Sequence, residues 1–225
     1  PTEQARTMVF QTADALRRSD AGEKDAYALV RILTPLIKFR ATRDARKVTG
    51  DAMEVRGGCG YIEDWADPRL VRDAHLGSIW EGTSNIVALD VLRAIRREGS
   101  LPVLERHLRS LLDATTMHAG ARQVFDKTMQ RTLARAGVVA EMRADGDAFA
   151  RQVGSSLYHL TTAVAMAWEA GQTASARRMQ LAQLVLRQRM LPQDPLGGDE
   201  VEPGWIAPLL DSSHDDAEVK AVNLF

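Results

Sequence analysis

Residues 52–93 read AMEVRGGCGYIEDWADPRLVRDAHLGSIWEGTSNIVALDVLR, and the glycines in this stretch set the frame for everything around it. A helical pattern runs into it and stops at Gly57-Gly58, where a residue free to adopt the left-handed conformation closes a helix. Irregular chain follows as far as Gly82, with room for one short helix near Pro68–Leu76. Thr83 or Ser84 then suits an N-cap, since a hydroxyl oxygen can accept from the free N–H groups of the first turn. Ile86, Leu89, Val91, Leu92 and Ile95 share one face of the helix that begins there, and Gly99 ends it after Glu98.

Upstream, Ala5, Met8, Val9, Ala13 and Leu16 predict a helix over 3–18, and Asp20-Ala21-Gly22 breaks it. A longer helix is expected from Glu23 to Arg56, kinked at Pro35 because proline lacks a backbone donor and crowds the preceding turn. Downstream, four further helices are expected over about 102–119, 121–143, 147–170 and 173–190, with breaks at Gly120, Gly146 and Gly171. No stretch alternates apolar and polar residues as a half-buried strand does. The expected fold class is therefore all-α, a helical bundle followed by additional helices. Gly99-Ser100 and Pro102 mark a boundary between residues 1–98 and 99–225. From Leu191 on, four prolines and a Gly-Gly pair predict an acidic loop-rich tail.

The 225 residues are 45% hydrophobic and 26% charged with a formal net charge of −1, which suits a globular chain with a real core. Five His and one Cys exclude a disulfide framework and a Cys-rich zinc site, and no metal site is expected. One thiol fits a reducing compartment, and the expected location is cytoplasmic. No apolar run reaches the length of a membrane span. The chain opens at Pro1 in helical pattern, which is read as a piece of something longer.

Chemistry concentrates in the same stretch. Glu81-Gly82-Thr83 puts a carboxylate immediately before a helix N-terminus, whose N–H groups and partial positive charge suit an anion. Gly57-Gly58-x-Gly60 permits close backbone approach. Arg69, Arg72 and Asp73 are candidates for charge-assisted pairs that hold the intervening loop. Each signal alone has a plain structural reading: a helix cap, a solvated carboxylate, a surface ion pair.

Their order is more specific. Helix, Gly57-Gly58-Cys59-Gly60-Tyr61, Arg69, Arg72-Asp73, Ile79-Trp80-Glu81-Gly82-Thr83-Ser84-Asn85 and helix resembles the carboxyl-terminal domain of the acyl-CoA dehydrogenase family. AMEVRGGCGY and IWEGTSNIVALDVLR look most like the alkylation-response (AidB-like) branch, which carries an extra helical region after the shared domain. The resemblance implies an FAD-dependent α,β-dehydrogenation of an acyl-CoA thioester. Glu81 then takes the α-proton, and its peptide N–H binds the thioester oxygen. Gly82 leaves room for the acyl chain, and Thr83, Ser84 and Asn85 touch flavin. Glu54, Val55, Arg56, Gly57 and Gly58 match a turn that reaches the FAD of a neighbouring subunit in a homodimer or homotetramer. Electron-transfer flavoprotein or a similar acceptor is the implied redox partner. Two departures are visible. Glu54 stands where the family usually has Gln, so a carboxylate would face pyrophosphate. Trp80 replaces the more usual Tyr.

The amino-terminal helical and central β domains of the family have no counterpart in this sequence. The isolated chain is therefore expected to bind FAD weakly or not at all and to be inactive. Two other functions compete: DNA binding through phosphate contacts, and a helical oligomerisation module. Residues 101–191 hold 12 Lys and Arg against 7 Asp and Glu, while residues 192–225 hold 1 against 8. Arg177, Arg178, Arg187 and Arg189 form the basic cluster that the DNA reading needs.

Overall fold

A computed structural model describes residues 1–192 and 209–210, and the remainder of the acidic tail lies outside the described residues. Among the described residues the chain is helical, with no strand. α1 spans Thr2–Asp20, α2 Ala26–Val55, α3 Gly58–Tyr61, α4 Asp67–Gly77 and α5 Ser84–Glu98. They are followed by α6 (Ser100–Asp113), α7 (Ala119–Glu141), a 3-10 segment (Arg143–Phe149), α8 (Ala150–Thr173) and α9 (Ala176–Arg189).

Most boundaries follow the sequence. α2 stops where Gly57 takes φ 59° and ψ −137°, a combination open in practice to glycine alone. α5 stops at Gly99 with φ 61°. Proline at position 35 does not divide α2, which passes through it as one helix with Pro35 buried. Two expected breaks are wrong. Gly120 sits in the first turn of α7, and residues 114–118 make the break instead, closed by His118, whose Nδ1 accepts from the Gly120 N–H at 3.2 Å. Gly171 lies inside α8, which runs on to Thr173 and ends at Ala174 with φ 53°. In the last turn of α8 Ala170 is buried and the Thr173 hydroxyl donates to the Glu169 carbonyl oxygen at 2.8 Å, and the Ser175 hydroxyl, accepting from the Arg178 N–H at 3.1 Å, starts the next helix.

The long apolar α8 is the central element. Leu157, Tyr158, Leu160, Ala163, Val164, Ala165 and Ala167 are all fully buried. It packs against α1, α2, α5, α6, α7 and α9. One hydrophobic cluster therefore joins Met8, Leu33, Phe39 and Val91 to Leu104, Phe125, Val153 and Leu186, on both sides of Gly99. Gly154 is where α8 meets α2: an added Cβ there would lie 3.2 Å from Phe39 Cδ1 and 3.8 Å from Val91 Cγ2. Polar ties cross the same seam. Gln4 Nε2 donates to Thr162 Oγ1 at 2.7 Å and lies 3.0 Å from His159 Nδ1, so that ring nitrogen must be the acceptor. Burial, reinforced by the nearby Arg40 guanidinium, pushes the His159 imidazole down to about 3.

Arg178 also faces this seam rather than solvent. It is buried and bound to Glu3, Thr7 and Glu169. Arg177 donates to the Leu209 carbonyl oxygen at 2.9 Å. Arg177 and Arg178 of the basic cluster are thus committed to internal partners, because the i,i+1 pair straddles the buried edge of α9.

Candidate functional site

The turn between α4 and α5 presents the candidate base. Lys38 of α2 donates to the Gly77 carbonyl oxygen at 2.9 Å, fixing the end of α4. Ser78 is buried, donating to the His75 carbonyl oxygen at 3.0 Å and accepting from Arg46 Nη1 at 3.3 Å. The next residues swing outward: Ile79 and Trp80 are 60% and 65% exposed, and Glu81 is exposed too. Glu81 adopts φ 54°, one of four non-glycine residues with positive φ among the described residues. This left-handed conformation is disfavoured for a glutamate by about 1–2 kcal/mol. Gly82 follows at φ 111°, where any side chain would be strained and a Cβ would lie 3.2 Å from Val87 Cγ2. Thr83 caps α5 in position but not with its hydroxyl, which leaves that group and the first-turn N–H groups available.

Beside the turn lies a cleft of about 410 Å³, lined by Arg46, His75, Ser78, Ile79, Thr83, Ser84, Asn85 and Arg151. Of the candidate residues, Thr83, Ser84 and Asn85 line this cleft, and Glu81 and Gly82 do not. Arg43, one turn back on α2, donates to Ser84 Oγ at 3.4 Å and lies over the Phe39 ring at 5.9 Å from its centre. Its guanidinium is held below the ordinary arginine value by burial and by the like charges of Arg151, Arg40 and Arg46, partly offset by Asp44. Among the described residues, none of Arg43, Arg46 and Arg151 has a carboxylate within ion-pair distance, and Asp44 is paired with Arg40. Larger grooves exist. One of about 940 Å³ runs past Phe10, His107 and Trp168, but Arg18, Glu169 and Arg178 on its wall are already ion-paired.

The other predicted residues sit elsewhere. Glu54, Val55, Gly57 and Gly58 are exposed at the end of α2 and do not line the cleft. Arg56 pairs with Asp67 at 3.2 Å, tying the glycine turn to α4. Gly60 is packed so closely that a Cβ would lie 2.2 Å from the Met53 carbonyl oxygen. Arg72 holds the loop through Glu63 at 2.6 Å, whereas Arg69 and Asp73 pair within α4 at 3.6 Å. The arginines of the cleft were missed. Arg40, Arg43 and Arg46 form an i,i+3 row that could have signalled it. For Arg151 no sequence signal exists, since only the fold brings α8 to α5.

Comparison with known proteins identifies the family of the first helices. Residues 1–96 match the sequence model of the acyl-CoA dehydrogenase C-terminal domain. Acyl-CoA dehydrogenase family member 11 of Caenorhabditis elegans is 38% identical over 111 residues, 48% of this chain and 18% of that protein. Putative acyl-CoA dehydrogenase AidB of Escherichia coli is 32% identical over 154 residues, 68% of this chain and 26% of that protein. The chain therefore spans about a quarter or less of these relatives. The crystal structure of C. elegans ACDH-11 in complex with C11-CoA superposes with a TM-score of 0.77 at 23% identity, covering 86% of this chain and 35% of that one. The shared fold thus continues past residue 96. No helix among the described residues is long and apolar enough to cross a membrane.

Proposed function

Residues 1–96 are a carboxyl-terminal domain of the acyl-CoA dehydrogenase family, and from that premise we propose that the chain supplies the catalytic base of a flavin-dependent enzyme that desaturates an acyl-CoA thioester. The observation that carries this reading is the Glu81 turn. A glutamate at φ 54°, between the fixed end of α4 and a glycine at φ 111°, is held against its backbone preference. Such strain persists where the surrounding structure over-determines it and clusters at functional sites.

The cleft beside it fits the diphosphate of a flavin dinucleotide. Two uncompensated guanidinium groups on its wall, a third bound to Ser84, two hydroxyls and a helix N-terminus form a donor set for a polyanion. FAD bound there would supply the hydride acceptor. The chain's own residues do the rest. Glu81 carboxylate takes the proton from the carbon next to the thioester. Its peptide N–H donates to the thioester oxygen, where negative charge develops. Gly82, without a side chain, leaves the acyl chain space beside Ile86 and Val87. In the assembled enzyme the exposed Ile79, Trp80 and Ile86 would be covered, excluding water and strengthening Glu81 as a base.

The reading makes this chain the base-bearing layer of a larger oligomeric flavoprotein, with electron-transfer flavoprotein or a similar acceptor as its partner. Residues 1–98 then form the base-bearing unit and residues 99–225 the region that follows it. The turn at Glu54–Gly58 would meet cofactor from a second subunit. Titrating the assembled flavoprotein with straight and branched acyl-CoA thioesters should bleach the oxidised flavin absorbance with at least one of them. Retention of the full flavin spectrum across the panel would refute the proposal.

A further inference from the structure

The cleft at the start of α5 contains a cation that the matched domain does not provide. Arg151 stands in the first turn of α8, well beyond residue 96. It is exposed, has no ion pair among the described residues, and lines the same cleft as Arg46, Thr83, Ser84 and Asn85. Other arginines of this fold found carboxylates: Arg31 bonds Glu98 at 2.8 Å, Arg96 bonds Asp147 at 2.7 Å and Arg122 bonds Asp113 at 2.7 Å. Only Asp44 offsets the like charges around Arg43, and it is held by Arg40. Guanidinium groups that share one cleft repel, and an oxyanion between them turns that repulsion into attraction. Guanidinium is also the group best shaped to hold phosphate oxygens two at a time.

We infer that Arg151 is a cofactor-positioning residue, the α8 half of a two-sided clamp in which Arg46 of α2 holds the other side of a diphosphate group seated on Thr83 and Ser84. The inference rests on the flavin reading only for the source of that group, since a free nucleoside diphosphate carries the same chemistry. Its consequence is that α8, the helix at the centre of the core, couples folding of the region after residue 99 to the affinity of the cleft.

Calorimetric titration of the 225-residue chain with inorganic pyrophosphate at low ionic strength tests it, with ADP and FAD as competitors. Arg151→Gln is expected to weaken pyrophosphate binding about tenfold, the loss of one charge-assisted contact. Arg151→Lys should restore part of the loss. Arg189→Gln, far along α9, should bind as the unaltered chain does. Thermal melts of the three variants should coincide, because Arg151 and Arg189 are exposed. Equal pyrophosphate affinity in Arg151→Gln and the unaltered chain overturns the inference, as does absence of saturable binding. Arg151-dependent pyrophosphate binding that neither ADP nor FAD displaces overturns the cofactor role of Arg151, while the flavin reading stands or falls on the bleaching of the assembled flavoprotein. FAD binding indifferent to Arg151 keeps the flavin reading and removes the clamp. Arg151-dependent retention of a duplex oligonucleotide without pyrophosphate binding overturns it in favour of a nucleic-acid backbone.

Discussion

Replacing Arg178 with methionine removes the cation that joins α1 to α8 and α9. Its side chain is 9% exposed, and its partners Glu3 and Glu169 are 29% and 22% exposed. Nε donates to Glu169 at 2.7 Å. Thr7 Oγ1 accepts from the same guanidinium and donates to the same carboxylate at 3.1 Å. Methionine keeps much of the volume and none of the donors, so Glu169 is left without a cation beside Glu3, which keeps only the exposed Arg6 at 2.8 Å. Removing one member of a buried pair costs about 3–5 kcal/mol. Both carboxylates retain some water, which places the expected loss at the lower end, about 3 kcal/mol. With a urea m-value of about 3 kcal/mol/M, the unfolding midpoint should fall by about 1 M at constant m. Adding Glu3→Gln and Glu169→Gln to Arg178→Met should recover at least half of the loss, since the exposed like charges are then gone. A change below about 1 kcal/mol would show that the network behaves as a solvated surface pair, and that packing alone holds α1 to the later helices.

Other outcomes follow from single sites. His159, held down at about 3, stays neutral in the fold while the unfolded ring titrates near 6.5; this contribution is complete above pH 6.5 and is lost as pH falls from there towards 3. Urea stability measured between pH 6 and pH 4 should therefore decline less steeply in His159→Gln, by about 1.4 kcal/mol per pH unit, and an unchanged slope would contradict the burial argument. Gly60→Ala forces a Cβ against the Met53 carbonyl oxygen and should cost about 1–3 kcal/mol, with hydrogen exchange accelerated first in residues 57–66; full stability would contradict the close approach. Arg72→Ala breaks a pair whose side chains are 60% and 70% exposed and should leave the urea midpoint unchanged, while a clear fall would mean the loop depends on it.

What the sequence made legible was the part written in local signals. Gly57, Gly82 and Gly99 are all at positive φ, and each sits at a turn that periodicity had already required. The motif around Glu81 was legible because its residues are close together in the chain. Breaks at Gly120 and Gly171 failed because glycine merely permits a break, whereas burial of the neighbouring Ala121 and Ala170 keeps both positions helical. Arg178 looked like part of a basic surface because its partners Glu3 and Glu169 are distant or unremarkable in sequence. Arg151 was invisible for the same reason: nothing near it is chemical until α8 crosses α2 and α5. Local periodicity carries no information on which helix faces which, and that pairing decides both the ion network and the cleft.

The proposed enzyme depends on Glu81 to remove the α-proton. Stopped-flow flavin reduction in the assembled enzyme, with Glu81→Gln beside the unaltered protein and a saturating acyl-CoA, measures that step alone. An amide cannot accept the proton, so the rate should fall by about 10²–10⁴-fold while flavin content and thermal stability stay the same. Reduction at the unaltered rate in Glu81→Gln would contradict the assignment.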